Sequence, residues 1–221
     1  MYQYEYPHPA VTTDIVVFTI RHQSLKVLLI KRAEDPHLGS WALPGGFVGI
    51  AEGLDAAAER ELGEETGVTG VYLEQLYTFG KPNRDPRERV ITVAYYALIP
   101  SDRLQIRAAT DTEAVGWFAL DELPSLAFDH QTILDMALER LRAKLDYSTI
   151  AFQFMPHEFT LTELQSVYEL ILGEPIDKRN FRKRILALQA VEETGQERRE
   201  GAHRPARLYR AIDPETVRII K

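Results

Sequence analysis

No cysteine occurs in the 221 residues, which excludes disulfides and thiolate metal sites and agrees with a cytoplasmic location. No apolar run reaches the length of a membrane-spanning helix, so no membrane partner is expected. The opening MYQYEYPHPAVTTD lacks a basic start followed by an apolar stretch, so no signal peptide is expected either. There is no internal repeat and no low-complexity tract. What remains, 45% hydrophobic and 27% charged, is the composition of an ordinary globular chain with room for one large domain or one medium and one small.

Charge is scarce in one sign locally. Residues 1–150 hold 14 Lys+Arg against 22 Asp+Glu, a balance of −8, whereas 151–221 hold 12 against 11. Within that tail, 178–210 carries ten basic and four acidic residues, a local +6. An acidic first part joined to a basic patch suggests two jobs. The pattern divides the chain into domains at 1–147 and 148–221.

The first part alternates between strand and helix signals. DIVVFTI and LKVLLIKRA are β-rich runs around a polar RHQS hairpin; WALPGGFV follows, then an acidic helix from about Leu54 to Thr66 capped by Gly67. Strands VYLEQLYTF and VITVAYYALI flank the polar loop GKPNRDPRER, and VGWFAL precedes a helix over HQTILDMALERLRAKL. In the tail, Thr160 and Glu163 form a capping box that opens a helix with Leu164, Val167, Tyr168 and Ile171 at core spacing, closed by Gly173. Asp177 is the expected N-cap of a second helix over KRNFRKRILALQAVEETG, with Phe181, Ile185 and Leu188 as its buried stripe. QERREGAHRPARLYRAI then reads as two short strands around a basic turn. Helix, tight turn, helix, β-ribbon is the order of a winged helix-turn-helix.

The acidic helix raises the sharper question, because like charges three and four residues apart repel. Glu61, Glu64 and Glu65 fall within an arc of about 100° on a helical wheel, beside the stripe of Leu54, Ala58 and Leu62. A solvated acidic face would lie opposite the core. Carboxylates clustered beside a core are tolerable when hard divalent cations, Mg²⁺ or Mn²⁺, neutralise them. Arg60 can also pair with Glu64 at four-residue spacing.

Gly46, five residues, Glu52, seven residues, then Arg60-Glu61-Leu62-Gly63-Glu64-Glu65-Thr66-Gly67-Val68 matches the full Nudix box, nine fixed positions across 23 residues. With WALPGG upstream and the strand order, residues 10–145 resemble the Nudix α/β/α sandwich. The resemblance implies hydrolysis of a nucleoside diphosphate linked to another moiety. It also implies that Glu61, Glu64 and Glu65 ligate metal, that the Gly46 carbonyl adds an oxygen, and that Glu52 orients the loop and a ligand. Glu64 and Glu113 both stand as general base. Arg84, Arg87 and Arg89 around Asp85 read either as a solvated hairpin tip or as a clamp for phosphate or ribose. The segment resembles that of ADP-ribose-recognising members. Arg32 and Trp41 could contact the nucleotide, though Trp41 equally suits the core.

In the tail, Lys178, Arg179, Asn180, Arg182 and Lys183 suit phosphate and base contacts on double-stranded DNA, with Arg198, Arg199 and Arg204 of the wing on phosphates. A solvated helix in a dimerisation appendage is the alternative. A Nudix domain followed by such a tail resembles the Nudix-related transcriptional regulators, the NrtR family, over nearly the whole chain. That implies a homodimer whose Nudix domain senses a nucleotide, often ADP-ribose, and whose winged helix binds operators of NAD-metabolism genes. Many such regulators have a degraded box and only bind the effector. Here the box is complete, which leaves a regulator that still hydrolyses its ligand, or a plain ADP-ribose pyrophosphatase whose tail only dimerises.

Overall fold

The computed structural model describes residues 5–100, 112–199 and 205–220. The chain divides into two compact units, one drawn from Met1–Phe18, Lys26–Leu98 and Leu104–Leu138, the other from Thr19–Leu25, Ile99–Arg103 and Glu139–Lys221.

A seven-stranded sheet dominates the first part. Its strands are β1 (Ala10–Arg21), β2 (Ser24–Arg32), β3 (Trp41–Ala42), β4 (Gly45–Phe47), β5 (Tyr72–Phe79), β6 (Val90–Ile99) and β7 (Thr112–Ala119). The order is β3-β2-β1-β6-β5, with β4 also on β1 and β7 also on β2. β1 and β6 are central, and their sequences show why: Ile15 to Phe18 and Tyr96 to Ala97 are almost wholly buried, as in strands covered on both faces. β1 returns as β2 through His22 and Gln23, both at positive φ (51° and 57°), which suits a two-residue turn whose twist matches the strands. β2 and β7 are antiparallel from Lys26↔Ala119 to Lys31↔Ala114, and the register slips before Arg32. β5 pairs β6 antiparallel with a break between Gln75 and Tyr77.

Helix α1 (Leu54–Thr66) ends on Gly67, whose left-handed φ of 75° lets its N–H reach the Gly63 carbonyl. It buries Ala57, Ala58, Leu62, Glu65 and Thr66. Leu54, expected in the core stripe, is 36% exposed in the first turn. Tyr95 of β6 donates to Asp55 at 2.6 Å, tying that turn to the sheet.

α2 (His130–Tyr147) leads to a 3-10 turn at Ile150–Phe154, which sequence patterning does not reveal. α3 (Leu161–Leu172) begins with the full capping box: the Glu163 N–H donates to Thr160 Oγ1 at 3.1 Å and the Thr160 N–H to Glu163 Oε2 at 2.7 Å. α4 (Lys178–Ala187) starts at Asp177, which accepts from the Asn180 N–H at 2.8 Å. Tyr168 and Phe181 meet edge to face at 5.2 Å and, with buried Ile171 and Ile185, hold α3 on α4.

The second tail helix is shorter than its sequence suggests. It stops at Ala187, Leu188 is its half-buried cap, and Gln189 turns the chain at φ 49°. Val191–Arg198 is strand β8, paired antiparallel with β9 (Ala206–Ala211) from Val191↔Ala211 to Arg198↔Ala206. Helical propensity in VEET yields there to ribbon pairing, a tertiary override of a weak local preference.

Candidate functional site

The box residues meet where β4 passes the second half of α1. Gly45 has φ 151°, and a Cβ there would lie 2.9 Å from the Asp14 Cα and against the Thr13 carbonyl. Its N–H donates to Glu65 Oε2 at 2.7 Å, so one metal-ligand candidate also anchors the strand. At Gly46 a Cβ would press into the Glu61 carboxylate, 2.5 Å from Cδ. The bare glycine therefore leaves that carboxylate its space.

Arg60 is the hub of the acidic cluster. It donates to Glu52 at 2.6 and 3.0 Å, to Glu61 at 2.8 Å, to Glu64 at 2.9 Å and to the Phe47 carbonyl at 3.2 Å. These bonds, with the Gly49 N–H at 2.6 Å, pull the Glu52 carboxyl down to about 2. Burial pushes Glu61 the other way, above its ordinary range, and Arg60 offsets this only in part. The repulsion expected within the helix is thus relieved by an internal cation. Among the described residues no three His, Asp or Glu side chains converge as a metal set. The donor chemistry nonetheless suits a hard divalent ion: Glu61, Glu64 and Glu65 offer only carboxylate oxygens, and burial raises the Glu61 pKa despite its bond to Arg60.

Beside the box opens a cleft of about 270 Å³, lined among others by Gly46, Glu61, Glu65, Arg32, Arg87 and Phe128. Arg32 lies 4.9 Å over the Phe128 ring; Arg87 lies 5.3 Å over Phe47 and 6.0 Å over Phe128. Burial, and the like charge of Arg87, lower the Arg32 pKa. Two guanidiniums facing one small space favour an anion there. Asp85 clamps Arg87 through bonds at 2.7 and 3.1 Å; burial raises the carboxyl, but the Arg87 bonds outweigh it and lower it.

The sequence candidates separate here. Arg84 reaches the cleft wall, but its guanidinium is spent on Asp129 at 2.6 and 3.1 Å and on Asp14 at 3.2 Å. Burial alone would depress Arg84, yet these carboxylates outweigh it and raise the pKa. Arg89 turns to the carbonyls of Lys81 and Val90. Trp41, half-buried on β3, packs edge to face on Phe118 at 4.6 Å. Glu64 is 62% exposed. Glu113 stands on β7, with its side chain outside the described set.

Sequence reasoning missed Asp14, Phe128 and His130. His130 is buried, its Nδ1 accepts from the Leu43 N–H at 2.9 Å, and its Nε2 faces Asp14 at 3.5 Å; burial lowers its pKa. No local pattern marks these three, since Asp14 on β1 lies far along the chain from Phe128 and His130.

In the second unit, α4 exposes Lys178, Arg179, Asn180, Arg182 and Lys183, with Arg179 and Lys183 opposite Phe181 and Ile185 and Arg182 to one side. Arg182 reaches Thr162 of α3 at 3.4 Å. Arg184 instead caps the end of α2, donating to the Leu145 and Asp146 carbonyls at 3.2 and 3.0 Å. Arg198 pairs with Glu163, Arg207 with Glu193 at 3.2 Å, and Arg210 with Glu192. Arg199 is exposed, and Arg204 lies outside the described residues.

Two family models match the chain: the NUDIX domain over residues 8–137 and the NrtR DNA-binding winged helix domain over residues 151–211. The chain is 42% identical over 210 residues to the ADPR responsive transcriptional repressor NtrR of Acinetobacter baylyi, covering 93% of this chain and 83% of that one. It is 39% identical over 129 residues to the ADP-ribose pyrophosphatase of Methanocaldococcus jannaschii, covering 58% of this chain and 73% of that one. Its fold is similar, at a TM-score of 0.82 and 40% identity, to Shewanella oneidensis NrtR complexed with a 27mer DNA, covering 93% and 95% of the two chains. A Nudix domain and a winged helix on one polypeptide, with relatives matched across both, place this chain in the NrtR family of Nudix-related transcriptional regulators.

Proposed function

We propose that the chain is an ADP-ribose-responsive DNA-binding repressor that also retains Mg²⁺- or Mn²⁺-dependent ADP-ribose pyrophosphatase activity. The observation that carries this is one cleft bearing both an undegraded acidic box and a pair of arginines, on a chain that also presents a basic helix. Support for the ligand and for DNA comes from the relatives: one is named for its response to ADPR, and the solved structure holds a 27mer DNA. The residue roles follow from chemistry. Arg32 and Arg87 hold the diphosphate in the cleft, Glu61, Glu64 and Glu65 hold the metal, and Arg60 with Glu52 fixes the loop between them. When bound, the metal neutralises the diphosphate and acidifies a water. Water then adds across the P–O–P link to give AMP and ribose 5-phosphate.

In this reading Arg179, Arg182 and Lys183 of α4 reach the operator, with Arg198 and Arg199 on phosphates, and a cytoplasmic homodimer presents two half-sites. ADP-ribose acts by preferring one dimer geometry, since a ligand shifts only an equilibrium whose states it binds differently. The intact box also supports a second reading, a working pyrophosphatase whose tail only dimerises.

A gel shift on the region upstream of the chain's own operon, with and without ADP-ribose, separates them when paired with a hydrolysis assay. Glu64→Gln is expected to lose Mg²⁺-dependent cleavage and keep ADP-ribose-sensitive DNA binding. Arg182→Ala/Lys183→Ala is expected to keep cleavage and lose the shift. If the double variant binds as tightly as wild type, the recognition-helix role is wrong and the tail is a dimerisation appendage.

A further inference from the structure

We propose that a second, outer pocket takes the nucleobase end of the ligand, with the Asn83 carboxamide reading the base edge. The inference rests on the ADP-ribose reading above and extends it to a subsite. Size gives the first reason. Small-molecule sites run from roughly 300 to 1,000 Å³, so a cleft of about 270 Å³ accommodates a diphosphate and an adjoining sugar but not a whole nucleoside diphosphate sugar. Next to it lies an open pocket of about 660 Å³, which includes His37, Pro82, Asn83, Pro86 and Phe128. The two spaces share Arg84 and Phe128 as a common wall. A ligand laid over that wall has one end in each.

Chemistry decides which end goes where. The inner cleft has the arginine pair and the carboxylates, so it takes charge. The outer one is walled by two proline rings, Phe128 and the His37 imidazole, which suit a flat heteroaromatic ring better than a polyhydroxylated sugar; of its charged lining, Arg84 and Asp129 are paired with each other, and Lys81 is the remaining cation. Asn83 is exposed in the Pro82–Asn83 turn, and a carboxamide offers the donor and acceptor pair that matches the adenine edge.

Backbone strain points to the same place. His37 and Phe128 both have left-handed φ, 65° and 52°, and their rings meet edge to face at 4.6 Å. Non-glycine residues in that region cost free energy and cluster where a site needs a fixed geometry. Here the two strained residues come from loops over ninety positions apart and form one wall of the pocket.

The test is calorimetry on the full chain with three probes: ADP-ribose, AMP and ribose 5-phosphate. Asn83→Ala and Asn83→Ser are each expected to weaken ADP-ribose and AMP about tenfold and to leave ribose 5-phosphate unchanged. His37→Gly is expected to weaken ADP-ribose while thermal stability holds or rises, because glycine relieves the positive φ. A purely structural His37 would give the reverse. Wild-type affinity for ADP-ribose and AMP in both Asn83 variants overturns the outer pocket alone, as does equal weakening of all three probes. A wild-type chain that binds neither ADP-ribose nor AMP overturns this subsite together with the ADP-ribose reading.

Discussion

Adjacent glycines at 45 and 46 face opposite constraints, and the difference is measurable. At Gly45 an added methyl meets backbone, the Thr13 carbonyl and the Asp14 Cα, at a φ of 151° that side chains avoid. Gly45→Ala is therefore expected to cost about 1–3 kcal/mol, lowering Tm by roughly 2–4 °C for each kcal/mol. At Gly46 the methyl meets the far end of a flexible side chain, the Glu61 carboxylate, which can swing away. Gly46→Ala is expected to leave Tm nearly unchanged and to weaken Mn²⁺ binding and hydrolysis, because Glu61 is displaced. Thermal melts and a hydrolysis assay on the two variants check this; equal Tm losses would refute it. The box itself was legible, since fixed spacing along one helix needs no tertiary information. What its spacing hid was Arg60 as common partner of Glu52, Glu61 and Glu64, where only the Arg60–Glu64 pair follows from helical geometry.

Between elements, the buried group of Asp14, Arg84, Asp129 and His130 ties β1, the loop between β5 and β6, and the start of α2. This is the part of the site that sequence could not show. Arg84 read as a solvated hairpin tip or a ligand clamp because its partners sit 70 and 45 positions away. The strands and the α3 cap were readable because their signals are local, whereas the first residues of β8 were not, because their strand state depends on β9. The network also sets a pH dependence. Burial holds the His130 pKa below the ordinary 6.5, with Asp14 and Asp129 opposing this and Arg84 and Arg32 adding to it. The folded chain resists the proton that the unfolded chain takes up below 6.5, so stability present above that pH is lost as pH falls below it toward the depressed folded value. His130→Asn, which can still accept from Leu43, is expected to flatten the decline in urea midpoint between pH 6.5 and 5. An unaltered slope would place the titration elsewhere.

Across the whole molecule the net charge of −7 opposes approach to DNA, so the local +6 of residues 178–210 must carry the attraction. α4 presents its cations to solvent, whereas the arginines of β8 and β9 pair with Glu163, Glu193 and Glu192. Those glutamates act as tethered counterions that stay with the protein. For any such arginine to reach a DNA phosphate it must leave a carboxylate that cannot diffuse away, and that carboxylate would then face the duplex. Part of the wing's positive charge is thereby screened in advance at every salt concentration. Glu192→Gln/Glu193→Gln is expected to tighten binding to unrelated DNA more than to the operator and so erode selectivity, measurable by competition titration across a salt series. On that outcome the wing's acidic residues would be a brake on indiscriminate binding, set by the fold and not by the buffer.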